Sequence, residues 1–143
     1  MNPREFHLND WVFVTETEGS DDTPNGEDIF YPAQVDTIFG DTIVDGYGME
    51  RGHDQLFPIS LTDIATMKRF GFREVEPWPK DRYDHSLLLG CISYQWSDKE
   101  TDGIEVDIRT KSRHIKYLHE LQAFWYDITK QELELTYNGD KQD

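Results

Sequence analysis

The sequence predicts an α+β protein: a small N-terminal β-barrel or meander, a short helix, an antiparallel β-hairpin, a long C-terminal helix and a final strand. Three observations predict it. Short aromatic-rich runs separated by Gly/Asp turns fill residues 6–58, as in an all-β unit. "IEVDIRT" alternates apolar and polar residues without a break, the mark of a half-buried strand. "YLHELQAFWYDIT" spaces its apolar residues with the period of a helix. The expected division is an acidic β-rich subdomain over 1–58 and an α+β subdomain over 59–143, packed as a single compact unit.

In chain order, "LNDWVFVTE" reads as a strand with Trp11 and Phe13 on one face and Val12 and Val14 on the other. "TEGSDDTPNGED" follows as a solvated acidic turn segment, broken by Pro24, Asn25 and Gly26. "IFYPAQVDTI" is extended again, and Pro32 marks an edge or a bulge. "FGD" turns the chain into "TIVDGYG". In "FPISLTDIATMKRFGF", Thr62 is a candidate helix cap and Asp63 favours the first turn. Gly71 suits the left-handed position that ends the helix, and a Schellman ending would fold Phe72 back on Met67. "HSLLLGCISYQW", apolar on both faces, is expected as one strand through the middle of a sheet. "SDKETDG" forms the hairpin connection to "IEVDIRT", with Ile104, Val106 and Ile108 facing inward. The C-terminal helix is expected from about Ser112 to Thr129, and "QELELTY" places Leu133, Leu135 and Tyr137 on one side of the final strand.

The chain of 143 residues is long enough to bury a core. No run of residues approaches a membrane span, and the N-terminal residues lack the basic and apolar regions of a signal peptide. With Cys91 as the single cysteine, a disulfide framework is excluded, and the expected setting is the cytoplasm. The formal charge of −15 is concentrated early: residues 1–50 carry twelve acids against Arg4 alone. Such a surface repels phosphates and argues against direct nucleic-acid binding. It serves solubility, and it also has the means to imitate nucleic acid in the basic groove of another protein.

The helix carries the most chemistry. At 100° per residue, Tyr117, Leu118, Leu121, Phe124, Trp125 and Ile128 form the core face, and Lys116, Glu120, Asp127 and Lys130 a solvated one. Between them lie Ile115, His119, Gln122, Tyr126 and Thr129. "HELQA" has the first half of a zinc-protease motif, but position 123 is Ala, so that reading fails. His119 as a general base would need a partner such as His85, Ser86, Cys91 or Ser93 brought in by the fold. The stronger expectation is that His119 and Gln122 bond neighbouring backbone at the edge of the core. Cys91, placed in an apolar strand, is expected to behave as a small hydrophobe. Asp21, Asp22, Glu27 and Asp28 lack the ligand spacing of a calcium loop, and "GYGMERG" lacks the context of a phosphate loop. No metal and no cofactor are expected.

"LNDWV" followed by "PAQVDTIFGDTIV" is similar to small SH3-like barrels. The combination of "LNDWV", "FPISLTDIATMKRFGF" and "IKYLHELQAFWYDITKQELEL" resembles a class of small hypothetical proteins of Bacteroidetes, their phages and their conjugative elements. In that class a "PIPLT…L…GF" segment precedes a variable β region, and a "VHQLQNLYFALTGKEL"-like helix and strand closes the chain. Pro58 to Thr62, Gly71, Phe72, His119, Leu121, Gln122, Thr129, Glu132 and Leu133 fall on that pattern. Lys130 and Gln131 stand where the class has Gly-Lys. The resemblance implies a setting, a phage or mobile element, and transfers no catalytic residues.

The resulting expectation is a non-enzymatic accessory protein that binds a host or phage protein with a basic surface. Inhibition of a host-defence or nucleic-acid enzyme is the specific form, and Glu16, Glu18, Asp21, Asp22, Glu27 and Asp28 are the candidate contacts. One alternative is a nucleotide-binding or sequestering protein using Arg109, Lys111, Arg113, Gln122 and Tyr126, with Tyr94 and Trp96 for stacking. There the basic run "RTKSR" would sit at the helix N-terminus. Another is a structural component of a phage particle.

Overall fold

The computed structural model describes residues 7–16, 29–39, 42–52, 55–99 and 102–138. The chain is mixed α+β, mostly antiparallel strands, with a curled half-barrel sheet and a C-terminal helix. It divides into two units, Met1–Ile59 and Ser60–Asp143.

The first unit is a five-stranded antiparallel sheet. Its strands are β1 (Trp11–Glu16), β2 (Ile29–Phe39), β3 (Thr42–Asp45), β4 (Glu50–Gly52) and β5 (Leu56–Phe57), ordered β4-β3-β2-β1-β5. Val12 and Val14 point into the core, and Trp11 and Phe13 take the opposite, half-buried face. The core is Val12, Val14, Ala33, Val35, Ile43 and Leu56, with Tyr31 and Ile38 packed against it. β2 serves two partners in turn: residues 29–34 pair with β1 and residues 35–39 with β3. The register shift between Val35 and Thr37 marks the change, and such a bulge bends a strand. Pro32 lies opposite Phe13, in the half of β2 that, among the described residues, has β1 alone as partner. A residue without an N–H costs no ladder bond there.

The second unit opens with α1 (Ile64–Arg69). Its cap is Asp63 rather than Thr62: the Asp63 carboxylate accepts from the Thr66 N–H at 3.3 Å and from the Thr66 hydroxyl at 2.8 Å. The ending is the expected Schellman pair. Phe72 N–H donates to Met67 C=O at 3.1 Å, Gly71 N–H donates to Lys68 C=O at 3.0 Å, and Gly71 has φ 102°.

A five-stranded antiparallel meander follows, ordered β10-β9-β8-β7-β6. Its strands are β6 (Arg73–Glu74), β7 (His85–Leu89), β8 (Ile92–Trp96), β9 (Ile104–Ile108) and β10 (Lys111–Ile115), and α2 (Leu118–Thr129) comes last. One sheet face carries Leu87, Ile92, Tyr94, Trp96, Ile104, Val106, Ile108 and Ile115, all buried. Met67, Phe70, Leu118, Leu121 and Phe124 of the helical segments are buried as well.

Three expectations are corrected. "HSLLLGCISYQW" is two strands folded at Gly90 and Cys91, with Leu89 opposite Ile92. Gly90 supplies the positive φ of 57° that so tight a turn requires, and Cys91 therefore sits in a turn. Residues 111–115 are not the start of the helix. Arg109, at φ 57°, turns the chain so that they pair with β9, and the ladder overrides local helix preference. Lastly, residues 131–138 belong to no ladder among the described residues. Leu133 is buried and Glu132 and Glu134 are exposed as the alternation requires. The segment runs instead along the end of α1, where Asn138 N–H donates to Arg69 C=O at 2.9 Å and Tyr137 packs on Phe70 with ring centroids 5.1 Å apart.

Candidate functional site

In the first unit a buried ion pair organises an exposed turn. Asp45 ends β3 and Arg51 sits in β4, and both are almost fully enclosed. The Asp45 carboxylate accepts from the Tyr47 and Met49 N–H groups at 2.9 and 3.1 Å through Oδ1. Through Oδ2 it accepts from Arg51 Nε at 2.9 Å. Arg51 donates further to Thr15 C=O at 3.0 Å and to the Tyr31 hydroxyl at 2.6 Å. The turn so held presents Tyr47 (64% exposed) and Met49 (53%) to solvent, and the Tyr47 ring meets Tyr31 edge-on at 5.6 Å. A second exposed group lies on the outer face, where Phe30 (50% exposed) and Phe57 (37%) contact edge-to-face at 5.1 Å. Phe13 pairs with Phe57 across β1 and β5. A network with every member bonded holds one geometry, so Tyr47 and Met49 are presented on a fixed turn.

Of the acidic candidates, Glu18, Asp21, Asp22, Glu27 and Asp28 lie outside the described residues. Glu16 closes β1 opposite Ile29, and its side chain is not described either.

In the second unit the nucleotide candidates do not converge. Arg109 is in the turn before β10 and Lys111 is exposed on that strand, so "RTKSR" forms turn and strand, and α2 begins only at Leu118. Arg113 is committed: it lies 2.8 Å from Asp127, and its guanidinium stands 4.7 Å over the Phe124 ring. Phe124 and Asp127 occupy one flank of α2, and Gln122 and Tyr126 lie roughly 150° away around the helix at 100° per residue. Gln122 is buried and Tyr126 is exposed. Tyr94 and Trp96 stack on each other at 5.6 Å but are enclosed in the core face. The Tyr94 hydroxyl donates to Leu61 C=O at 2.7 Å, and burial pushes its pKa well above the ordinary phenol value of 10.0.

His119 is buried, and its ring stacks nearly parallel on Tyr117 at 5.8 Å. The cap of α2 comes from Glu120, whose carboxylate accepts from the Lys116 and Tyr117 N–H groups, both at 3.0 Å. Glu120 was expected on the solvated face. Its backward reach had no Ser/Thr cap in the sequence to announce it, because Tyr117 holds the cap position. His85 lies 2.5 Å from Asp98 and tilts over Trp96, so its ring is occupied away from Ser86 and Cys91. Among the described residues no group of three or more His, Cys, Asp or Glu is arranged to hold a metal ion. No described helix is long and apolar enough to cross a membrane.

Sequence reasoning passed over Trp78. Gln95 on β8 grips its main chain: Gln95 Oε1 accepts from Trp78 N–H at 3.1 Å and Gln95 Nε2 donates to Trp78 C=O at 2.7 Å. The indole is 77% exposed. The neighbouring Pro77 and Pro79 are the available signal, since a residue between two prolines lies in a connector rather than in a core element.

Comparison of the chain with protein-family models, with curated proteins and with solved structures returned no match.

Proposed function

We propose that this protein is a non-enzymatic accessory protein of a phage or mobile element, acting in the host cell by binding a protein with a basic surface. One observation carries the reading: exposed aromatics and an excess of acid occur together in the first unit. Phe30, Phe57, Tyr47 and Met49 face solvent there, and residues 1–59 hold thirteen acids against Arg4 and Arg51. Exposed aromatic side chains suit the buried centre of an interface. Surrounding carboxylates steer a cationic partner and reject an anionic one.

The strand order supports reading this unit as an SH3-like barrel. Four strands run as a meander and the fifth returns to pair with the first. Barrels of that kind recognise extended peptides on aromatic surface. The specific form of the proposal is inhibition of a host-defence or nucleic-acid enzyme whose phosphate-binding groove the acidic unit enters.

The test is affinity capture of the tagged full chain in host extract, repeated with two variants. One neutralises Glu16, Glu18, Asp21, Asp22, Glu27 and Asp28 to amides, and the other is Phe30→Ser with Phe57→Ser. A specific partner should be retained by the wild type, lost by both variants and released by salt. A partner that survives both variants and high salt contradicts the proposal.

A further inference from the structure

We propose that the free edge of β10 is a docking site for an acidic polypeptide segment, which joins the second sheet as an added strand. This surface is separate from the aromatic one of the first unit and implies a ligand of opposite charge.

β10 is the last strand of its sheet and, among the described residues, pairs with β9 alone. Lys111, Ser112, Arg113 and His114 are all exposed. The β9–β10 turn consists of Arg109 and Thr110, with Ile108 opposite Lys111. In a two-residue hairpin the closing pair exchanges both backbone bonds, and pairs alternate from there. Lys111, Arg113 and Ile115 therefore direct their N–H and C=O groups to β9. Ser112 and His114 direct theirs outward, which leaves two donors and two acceptors in the plane of the sheet.

The chain already uses the continuation of this edge. Ser60 forms an antiparallel bridge with Tyr117, and Leu61 N–H donates to Lys116 C=O at 3.1 Å. It then turns into α1, where Asp63 N–H donates to Ser60 C=O, and among the described residues only β9 pairs with residues 111–115.

Charge selects the occupant. Residues 109–116 contain Arg109, Lys111, Arg113 and Lys116 and no acid, in a chain of net charge −15. Arg113 is engaged by Asp127 and Lys116 lies over the Tyr117 ring. Glu105 and Asp107 stand opposite His114 and Ser112 and so share their face of the sheet, while Lys111, opposite Ile108, is on the other face; Lys111 and Arg109 carry the attraction. A second copy of β10 would set lysine and arginine against their like, an arrangement that protects edges from self-association. The same residues favour an incoming strand rich in Asp or Glu, with backbone bonds giving affinity and charge giving selectivity.

The probes are three synthetic nine-residue peptides added to the full chain: alternating Glu and Val, the same peptide with its Val amides N-methylated, and alternating Lys and Val. Binding is read by titration and by hydrogen exchange. The Glu–Val peptide should bind and slow exchange of the Ser112 and His114 amides, and N-methylation should weaken it by about tenfold through loss of backbone bonds. The Lys–Val peptide should not bind. Ser112→Pro removes an outward N–H and the exposed hydroxyl bond to Asp107 but no backbone bond to β9, so it should fold and lose about fivefold in affinity. If that variant does not fold, the N-methylated peptide on the wild-type chain decides the matter. Equal binding of the methylated peptide, protection at other amides, absence of binding, or dimerisation through β10 in sedimentation would each overturn the proposal.

Discussion

Asp45 and Arg51 form an ion pair at 2.9 Å inside the first unit, with both side chains nearly inaccessible to water. The pair stands in a network that also fixes Thr15, Tyr31, Tyr47 and Met49. Breaking a buried pair leaves one charge without compensation, and this costs about 3–5 kcal/mol. Asp45→Ala should therefore lower unfolding stability in urea by that amount. Tyr47 should also lose its fixed position, because its N–H bonds to the same carboxylate. Replacing both residues, as Asp45→Leu with Arg51→Met, should recover much of the stability while leaving the turn disordered. Equal losses in the single and double variants would show that the network, rather than the unpaired charge, sets the cost.

Tyr94→Phe tests the polar bond in the core of the second unit. At neutral pH it should cost about 1–2 kcal/mol, since Leu61 C=O is left without its donor. The alkaline limb should change in the other direction. The phenol pKa is raised by burial in the folded protein, so below the ordinary value of 10.0 its contribution is fully present. As pH rises past that value the unfolded chain ionises and the folded one does not, and stability falls. Wild-type protein should lose stability above about pH 10, and the loss should be shallower in Tyr94→Phe. Parallel alkaline limbs in urea titrations would contradict the burial effect.

Two helix endings use the same left-handed geometry with different residues. Gly71 takes φ 102° after α1, and Lys130 takes φ 59° after α2. A side chain in that region is disfavoured by about 1–2 kcal/mol. Gly71→Ala should thus be destabilising through the backbone alone, because an added Cβ would meet Leu89 at an ordinary 3.8 Å. Lys130→Gly should stabilise by about 0.5–1 kcal/mol, with part of the gain offset by unfolded-chain entropy. Thermal melts of both variants give the signs directly. A lower melting temperature for Lys130→Gly would mean that the lysine side chain contributes more than its backbone strain costs.

What could be read in advance depended on how local the cause was. The alternation of "IEVDI" and the Gly71 ending are local, and both are present as read. The inward side of Leu133, Leu135 and Tyr137 was also legible, but a ladder needs a neighbouring strand edge, which no pattern within "QELELTY" supplies. The turns at Gly90–Cys91 and Arg109–Thr110 carry neither Asn-Gly nor Asp-Gly, so the strands on either side were merged in one case and read as helix in the other. The exposed turn of the first unit was least legible. Asp45 and Arg51 resemble surface charges in sequence, and only the sheet register buries them together. Trp78 shows the converse, an aromatic residue that composition assigns to a core and that the fold leaves in water.

His119 bears on whether the helix that dominates the sequence is a chemical site or a packing element. It is buried on α2 and stacked against Tyr117, and its neighbours along the helix, Leu118 and Leu121, are core residues. Gln122, one turn on, is buried as well. A side chain so enclosed contributes by filling volume and stacking, and its truncation to alanine should cost about 2–3 kcal/mol. The exposed surfaces that carry the proposed interactions, Phe30 and Phe57 in one unit and β10 in the other, should be unaltered. His119→Ala should accordingly lower the urea midpoint and leave both partner capture and Glu–Val peptide affinity unchanged at temperatures well below the melt. Loss of either interaction with an unchanged urea midpoint would make His119 a functional residue and α2 part of the working surface.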